Sequence, residues 1–175
     1  GVKVVATQNA LQFVTKLTVE TLSENSIYSD IFENSENYST GHISITDEAD
    51  CMIVAPATAN TIGKFASGIA DDALSTTFLS FDKKVFIAPA MNTKMYNNQA
   101  TQANIETLKK RGVHIIEPSL GFLACGYDGQ GRMEEAEEIY RKVMDFYKAK
   151  NIFQNTKVLV NAGPTYEAID PVRFI

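Results

Sequence analysis

The chain has 175 residues, with 16 basic and 21 acidic side chains and a net charge of −5. That length suits one domain plus a fragment of another, and a composition 45% hydrophobic and 21% charged excludes wholesale disorder. The acidic balance, without a Lys/Arg-dense stretch, argues against nucleic-acid binding, and no apolar run approaches the ~20 residues of a membrane helix.

The first element is Val2 to Ala6 (VKVVA), a continuously apolar, β-branched run that suits a strand buried on both faces. A helix is predicted from Asn9 to Leu22, with Leu11, Val14, Leu17 and Leu22 on one side. Ser23 to Gly41 is dense in Ser, Asn, Asp and Glu and is predicted as a surface loop anchored by Ile31 and Phe32. The second strand is Cys51 to Ala55, closed by Pro56. Helices follow over Ala59 to Ala66, broken near Gly68, and over Asp72 to Leu79. The third strand is Val85 to Ala88, closed by Pro89, and a helix over Thr101 to Arg111 is stopped by Gly112. Val113 to Ile116 is the fourth strand, followed by a glycine-rich loop from Pro118 to Met133. Glu134 to Ala149 is amphipathic, with acidic residues in its first turns where they suit the helix dipole. After a polar linker near Asn151 to Thr156, Val158 to Val160 opens another strand.

Apolar strands alternating with helices indicate a parallel sheet covered on both faces. The fold class is therefore α/β: a doubly wound, flavodoxin- or Rossmann-like three-layer sandwich. With two cysteines there is no disulfide framework, which points to a reducing, cytoplasmic setting; Cys51 is expected in the core.

Ligands of such sheets bind outside the carboxyl ends of the strands. The residues there are Thr7-Gln8-Asn9, then Pro56 to Thr61, then Pro89 to Thr93, then the glycine-rich loop. Small residues, hydroxyls and amides dominate the first three. They let a ligand approach the backbone, and helix-start N–H groups favour an anion such as phosphate. Each segment taken alone also suits ordinary helix capping by Thr58, Asn60, Asn92 or Thr93. There is no Walker A loop, no G-x-G-x-x-G, no zinc-type Cys/His spacing and no nucleophile elbow. His42 suits either a structural role or a base poised near neutral pH. His114 suits a packing position. Cys125, between Ala124 and Gly126, is a thiol in a glycine-rich loop that can close over a ligand and supply a proton.

Four of these segments resemble one family. PATANT (Pro56 to Thr61) is similar to the flavin-binding PASANT motif of flavin-dependent cysteine decarboxylases. PAMNTKMY (Pro89 to Tyr96) resembles their P-x-M-N-x-x-M-W substrate motif, HISI (His42 to Ile45) their active-site histidine segment, and LACGYDGQGRM (Leu123 to Met133) the lid of the phosphopantothenoylcysteine decarboxylases. The tail, NAGPTYEAIDPVRFI, is similar to the start of phosphopantothenoylcysteine synthetase, which is fused behind the decarboxylase in bifunctional bacterial coenzyme A enzymes.

The resemblance implies FMN and the conversion of 4′-phosphopantothenoylcysteine to 4′-phosphopantetheine with loss of CO₂. It implies FMN contacts from Thr7, Asn9, Thr58, Ala59, Asn60, Thr61 and Ala90. His42 would assist oxidation of the cysteinyl group, Asn92 would hold the carboxylate with Met95 and Ala124 lining its site, and Cys125 would return a proton. It implies a homo-oligomer, trimer or higher, with sites at interfaces. Alternatives are a peptidyl-cysteine decarboxylase, a prenyl-flavin-making relative or a non-catalytic regulatory subunit of the same fold. Thr58 stands where the motif has Ser, and Tyr96 where it has Trp. The likeness begins at the family's second strand, so the expectation is a decarboxylase domain over 1–150 lacking its first strand, then a linker and the opening of a synthetase over 151–175.

Overall fold

The computed structural model describes residues 1–31, 41–122 and 128–151. They belong to two compact units, Gly1–Tyr140 and Arg141–Ile175.

The first unit is organised by three parallel strands, β1 (Cys51–Ala57), β2 (Lys84–Pro89) and β3 (His114–Ile115), in the order β1-β2-β3. Val54 pairs with Ile87 and Phe86 with His114; the β1–β2 register shifts between Val54 and Ala57, where the Ala55–Pro56 peptide is cis. Side chains alternate along a strand. Val85 and Ile87 thus face one cluster with Val54, Ile62, Phe65, Ile105 and Leu108, while Phe86 faces the other way and stacks on His114. Both faces of β2 are buried, which explains its unbroken apolar sequence.

Two helices supply most of the buried face. In α3 (Ala59–Ser67), Ile62, Phe65 and Ala66 are buried, and in α6 (Gln99–Lys110), Thr101, Ile105 and Leu108 are. Thr58 caps α3 by accepting from the Thr61 N–H, and Gly68 ends it at φ +70°, a left-handed turn that glycine makes without a Cβ penalty. Asp72 caps the next helix, α4 (Ala73–Ser80), in a reciprocal capping box with Ser75, and Phe78 of α4 stacks on Phe65. A short helix, α5 (Thr93–Tyr96), follows β2. The three strands and α3, α4 and α6 match the predicted elements within a residue or two, whereas α5 is not among them.

Three segments depart from expectation. Val2 to Ala6 forms no named strand among the described residues. Its ladder pairing among the described residues is a single bridge, Val5 with Tyr28, through Ala6 N–H to Tyr28 O and Tyr28 N–H to Val4 O, both 2.9 Å. Val2 is accordingly exposed, since burial on both faces needs a strand on each side. The predicted helix from Asn9 to Leu22 is two pieces: a 3-10 turn at Ala10–Gln12 and α1 (Lys16–Ser23). Thr15 divides them, because its hydroxyl accepts from Thr18 N–H as an N-cap and its backbone is extended. Last, the glycine-rich loop contains an antiparallel hairpin, β4 (Ser119–Phe122) with β5 (Asp128–Arg132). Cys51 is half-buried rather than core, Ile31 is half-buried, and Phe32 lies outside the described residues.

His42 falls in α2 (Gly41–Glu48). The helix α7 (Ala136–Asn151) begins with Glu137 and Glu138 in its first turn, as the charge pattern predicts. In the second unit only 141–151 are described, where Arg141 pairs with Asp145 at 3.3 Å and the Phe146 and Tyr147 rings meet edge to face.

Candidate active site

The carboxyl ends of β1 and β2 lie side by side. Ala90 N–H donates to Ala57 O at 2.9 Å just past the last pair of the ladder, so the segments after the two strands start from one point. Beside the end of β1 opens a cavity of about 880 Å³, within the range of cofactor and ligand pockets. Thr7, Asn9, Thr58, Asn60 and Thr61 all line it. Five residues chosen for their place after two separate apolar runs therefore line one cavity. Ala59 and Ala90, expected with them, do not line it. Ala59 opens α3, and Ala90 is held at the neighbouring strand end.

Local chemistry explains this lining. Thr7 begins the 3-10 turn: its carbonyl and its hydroxyl both accept from Ala10 N–H, at 3.0 and 3.2 Å. Gln8 anchors this turn through Nε2, which donates to Ser29 O at 3.1 Å. At α3, the Thr58 hydroxyl accepts from Thr61 N–H at 3.2 Å, and the Thr58 and Thr61 hydroxyls lie 3.1 Å apart. The Ala59 and Asn60 N–H groups open the helix without intrahelical partners, as the first N–H groups of any helix do. Uncharged donors and acceptors at a helix start, in a roomy cavity, fit a phosphorylated planar cofactor such as a flavin nucleotide.

The structure adds two residues that the sequence reading missed. Lys64 and Asp72 also line the cavity. Lys64 is three and four residues beyond Thr61 and Asn60, hence on the same helical face. Its Nζ lies 2.6 Å from Asp71 and 2.7 Å from Asp72. The Asp71 and Asp72 hydrogen bonds raise the lysine's pKa. Burial works against the charge of Asp72, but the bonds from Lys64 and from Ser75 outweigh it and leave its pKa lowered.

Asn92 and Met95 stand after β2, off this cavity. Asn92 is half-buried and caps α5, its Oδ1 accepting from Lys94 N–H at 2.8 Å. Met95 is exposed. Tyr96, the departure from the motif's Trp, is buried in the main cluster; its hydroxyl donates to Glu117, which also pairs with Lys109. Burial, and then Glu117, raise its pKa well above the usual phenol value. The phenol is thus a fixed donor that anchors α5. The side chain of His42, and Ala124 and Cys125 altogether, lie outside the described residues.

Among the described residues no helix is long and apolar enough to cross a membrane, and no three His, Cys, Asp or Glu side chains cluster as metal ligands.

Comparison with known proteins finds the family model described as Flavoprotein over residues 1–148 and the DNA/pantothenate metabolism flavoprotein C-terminal domain over residues 153–175. The coenzyme A biosynthesis bifunctional protein CoaBC of Bacillus subtilis is 48% identical over 176 residues, which is 99% of this chain and 43% of that protein. The chain thus spans less than half the length of this relative. A solved PPC decarboxylase mutant in complex with pantothenoylaminoethenethiol superimposes with a TM-score of 0.74 at 37% identity, over 82% of this chain and 81% of the other. The FMN binding protein AtHal3 does so at 0.71 and 37% identity, over 83% and 80%.

Proposed function

Because the chain belongs to the flavoprotein family, we propose that it carries the FMN-dependent decarboxylation of 4′-phosphopantothenoylcysteine to 4′-phosphopantetheine in coenzyme A biosynthesis. The observation that carries this reading is the convergence of Thr7, Asn9, Thr58, Asn60 and Thr61 on one cavity at the carboxyl end of the sheet, with the Asn92 turn leaving the adjacent strand. The names of the CoaBC and PPC decarboxylase relatives support the substrate, and that of the FMN-binding structure supports the cofactor.

When bound, FMN supplies a reversible two-electron oxidation, which makes the carbon beside a carboxylate able to accept the electrons that CO₂ leaves behind. The protein's part is binding and proton handling. Thr7, Asn9 and Thr58 to Thr61 hold the cofactor, with Ala90 leaving space at the β2 end. Asn92 orients the substrate carboxylate. A neutral amide suits a group that must leave, because a strong cation there would stabilise the ground state. Met95 and Ala124 line that pocket. His42 takes the proton released on oxidation, and Cys125 returns one to the product.

The domain reading accompanies it: residues 1–150 form the decarboxylase domain and 151–175 the linker and opening of a fused synthetase. The whole enzyme is then bifunctional, cytoplasmic and a homo-oligomer, trimer or higher, with active sites at subunit interfaces.

The test is an absorbance spectrum followed by a substrate panel. The purified protein is expected to show oxidised-flavin bands and to release CO₂ from phosphopantothenoylcysteine. The His42→Asn variant is expected to keep the flavin and lose turnover. A parent that prefers a peptide ending in cysteine would move the assignment to the peptidyl enzymes, and full activity in His42→Asn would remove the assigned base.

A further inference from the structure

We infer that Gly129 and Gly131 are positioning residues for Asn92: their missing side chains let β5 lie directly on the turn Met91–Thr93 and so set where the Asn92 amide stands. The inference rests on the assignment of Asn92 to the substrate carboxylate.

The contact is made by backbone. Met91 N–H donates to Gly131 O at 2.9 Å. Gly131 sits at φ +149°, and a Cβ added there would fall 2.1 Å from Met91 O. A Cβ on Gly129 would fall 2.3 Å from Thr93 Oγ1 and 3.3 Å from Thr93 Cβ. Real Cβ atoms essentially never come closer than 3.0 Å to such neighbours. The tightness is local, since at Gly121, on the opposing strand, the nearest atom would be 3.7 Å away. Asn92 is therefore clamped from both sides, through its predecessor by a hydrogen bond and through its successor by van der Waals contact.

The clamp has a chemical direction. Asn92 Oδ1 accepts from Lys94 N–H at 2.8 Å, which orients the amide, and an amide donates to a carboxylate only through its Nδ2 end. Moving the turn moves that donor. Thr93 Oγ1 is buried with no hydrogen-bond partner among the described residues, so its place against Gly129 is one of packing alone. The two glycines also differ in a testable way. Gly131 meets backbone, which no side-chain change can remove. Gly129 meets a hydroxyl, which Thr93→Ala deletes.

The experiment is a double-variant cycle in the flavin-loaded protein: Gly129→Ala, Thr93→Ala, both together, and Gly131→Ala with and without Thr93→Ala. Displacing a positioned group by about 1 Å costs roughly 100-fold in rate. Gly129→Ala is therefore expected to lose about 100-fold in kcat/KM, with flavin absorbance retained. The double variant is expected to return to within about twofold of Thr93→Ala alone, while Gly131→Ala is not rescued. Exchange of the Met91 amide hydrogen, which needs no substrate, should speed up in Gly129→Ala and recover in the double variant.

Parental kcat/KM in Gly129→Ala, or a double variant no better than Gly129→Ala, would overturn the inference. If Gly129→Ala does not fold, the double variant decides: regained folding and activity support the clamp, and failure of both removes it. A parent that binds flavin but releases no CO₂ from phosphopantothenoylcysteine sinks the function instead, and the amide exchange at Met91 then decides the clamp on its own.

Discussion

The central sheet and the head of the chain use similar residues and reach opposite ends. Around β2, Ile62, Ile87 and Leu108 are fully buried. In the head, Phe13 is 93% exposed, Leu17 74% and Leu22 81%. The two regions differ in neighbours, not in hydrophobicity. Ile87 has β1 on one side, β3 on the other, and the cluster containing α3 and α6 side chains against its face. The Val5–Tyr28 bridge, the Gln8–Ser29 bond and a bond from Asn25 to Val2 O all run within the head, and an exposed Lys3–Glu48 pair at 3.7 Å joins it to α2. An apolar pattern is a request for a partner, and it becomes stability only where the topology supplies one.

The largest effect should come from deleting apolar volume at the sheet centre. Ile87→Ala is expected to lower unfolding stability by about 3–5 kcal/mol, from lost burial plus the cavity left behind. Denaturant unfolding followed by circular dichroism measures it. A loss below about 1 kcal/mol would mean that the core can collapse around the gap, and the contrast with the head would be void.

An intermediate effect belongs to Lys64, which joins the two regions' shared cavity to the α4 cap. Its ion pairs are only partly shielded, because Asp71 is exposed while Asp72 is about one-third exposed and Lys64 less so. Lys64→Met should therefore cost about 1–2 kcal/mol rather than the larger sum expected of a buried triad. The pH dependence has a fixed sign. Asp72 is lowered from 3.8, so its contribution is complete above that value and fades as pH falls through the folded pKa. Lys64 is raised from 10.5, so its contribution is complete below that value and fades as pH rises through its folded pKa. The stability difference between parent and Lys64→Met should be flat between those limits and shrink beyond both. A difference that peaked inside the window would assign the effect to another group.

What could be read from sequence follows the same division. β2 was legible because a strand buried on both faces leaves an unbroken apolar run. The bounds of α3 were legible because Thr58 and Gly68 perform their usual capping tasks. The polar lining of the cavity was legible as small polar residues after consecutive apolar runs. The break at Thr15 was not, because a threonine serves equally well inside an amphipathic helix until its hydroxyl takes the Thr18 N–H. The β4–β5 hairpin was hidden because Asp128-Gly129-Gln130-Gly131-Arg132 has no strand-forming side chains, and β5 contacts Met91 and Thr93 through the glycine positions themselves. Lys64 was overlooked because its value lies in sharing a helix face with Asn60 and Thr61, which matters only once that face is known to line a cavity.

The smallest effect should come from the head itself. Leu17→Ser removes as much apolar character as a core substitution would, yet 74% of the residue already faces water. The folded state has little burial to lose there, so unfolding stability of the 175-residue chain should change by no more than about 0.5 kcal/mol. Serine is a somewhat poorer helix former than leucine, which sets the direction of that small change. The same substitution also tests the proposed assembly. Sedimentation of parent and variant should separate the two cases. An unchanged oligomer alongside unchanged stability leaves the head as exposed as it stands here. A loss above about 2 kcal/mol coupled to dissociation would mean that a second copy covers α1, and that the apolar face finds its partner in another subunit.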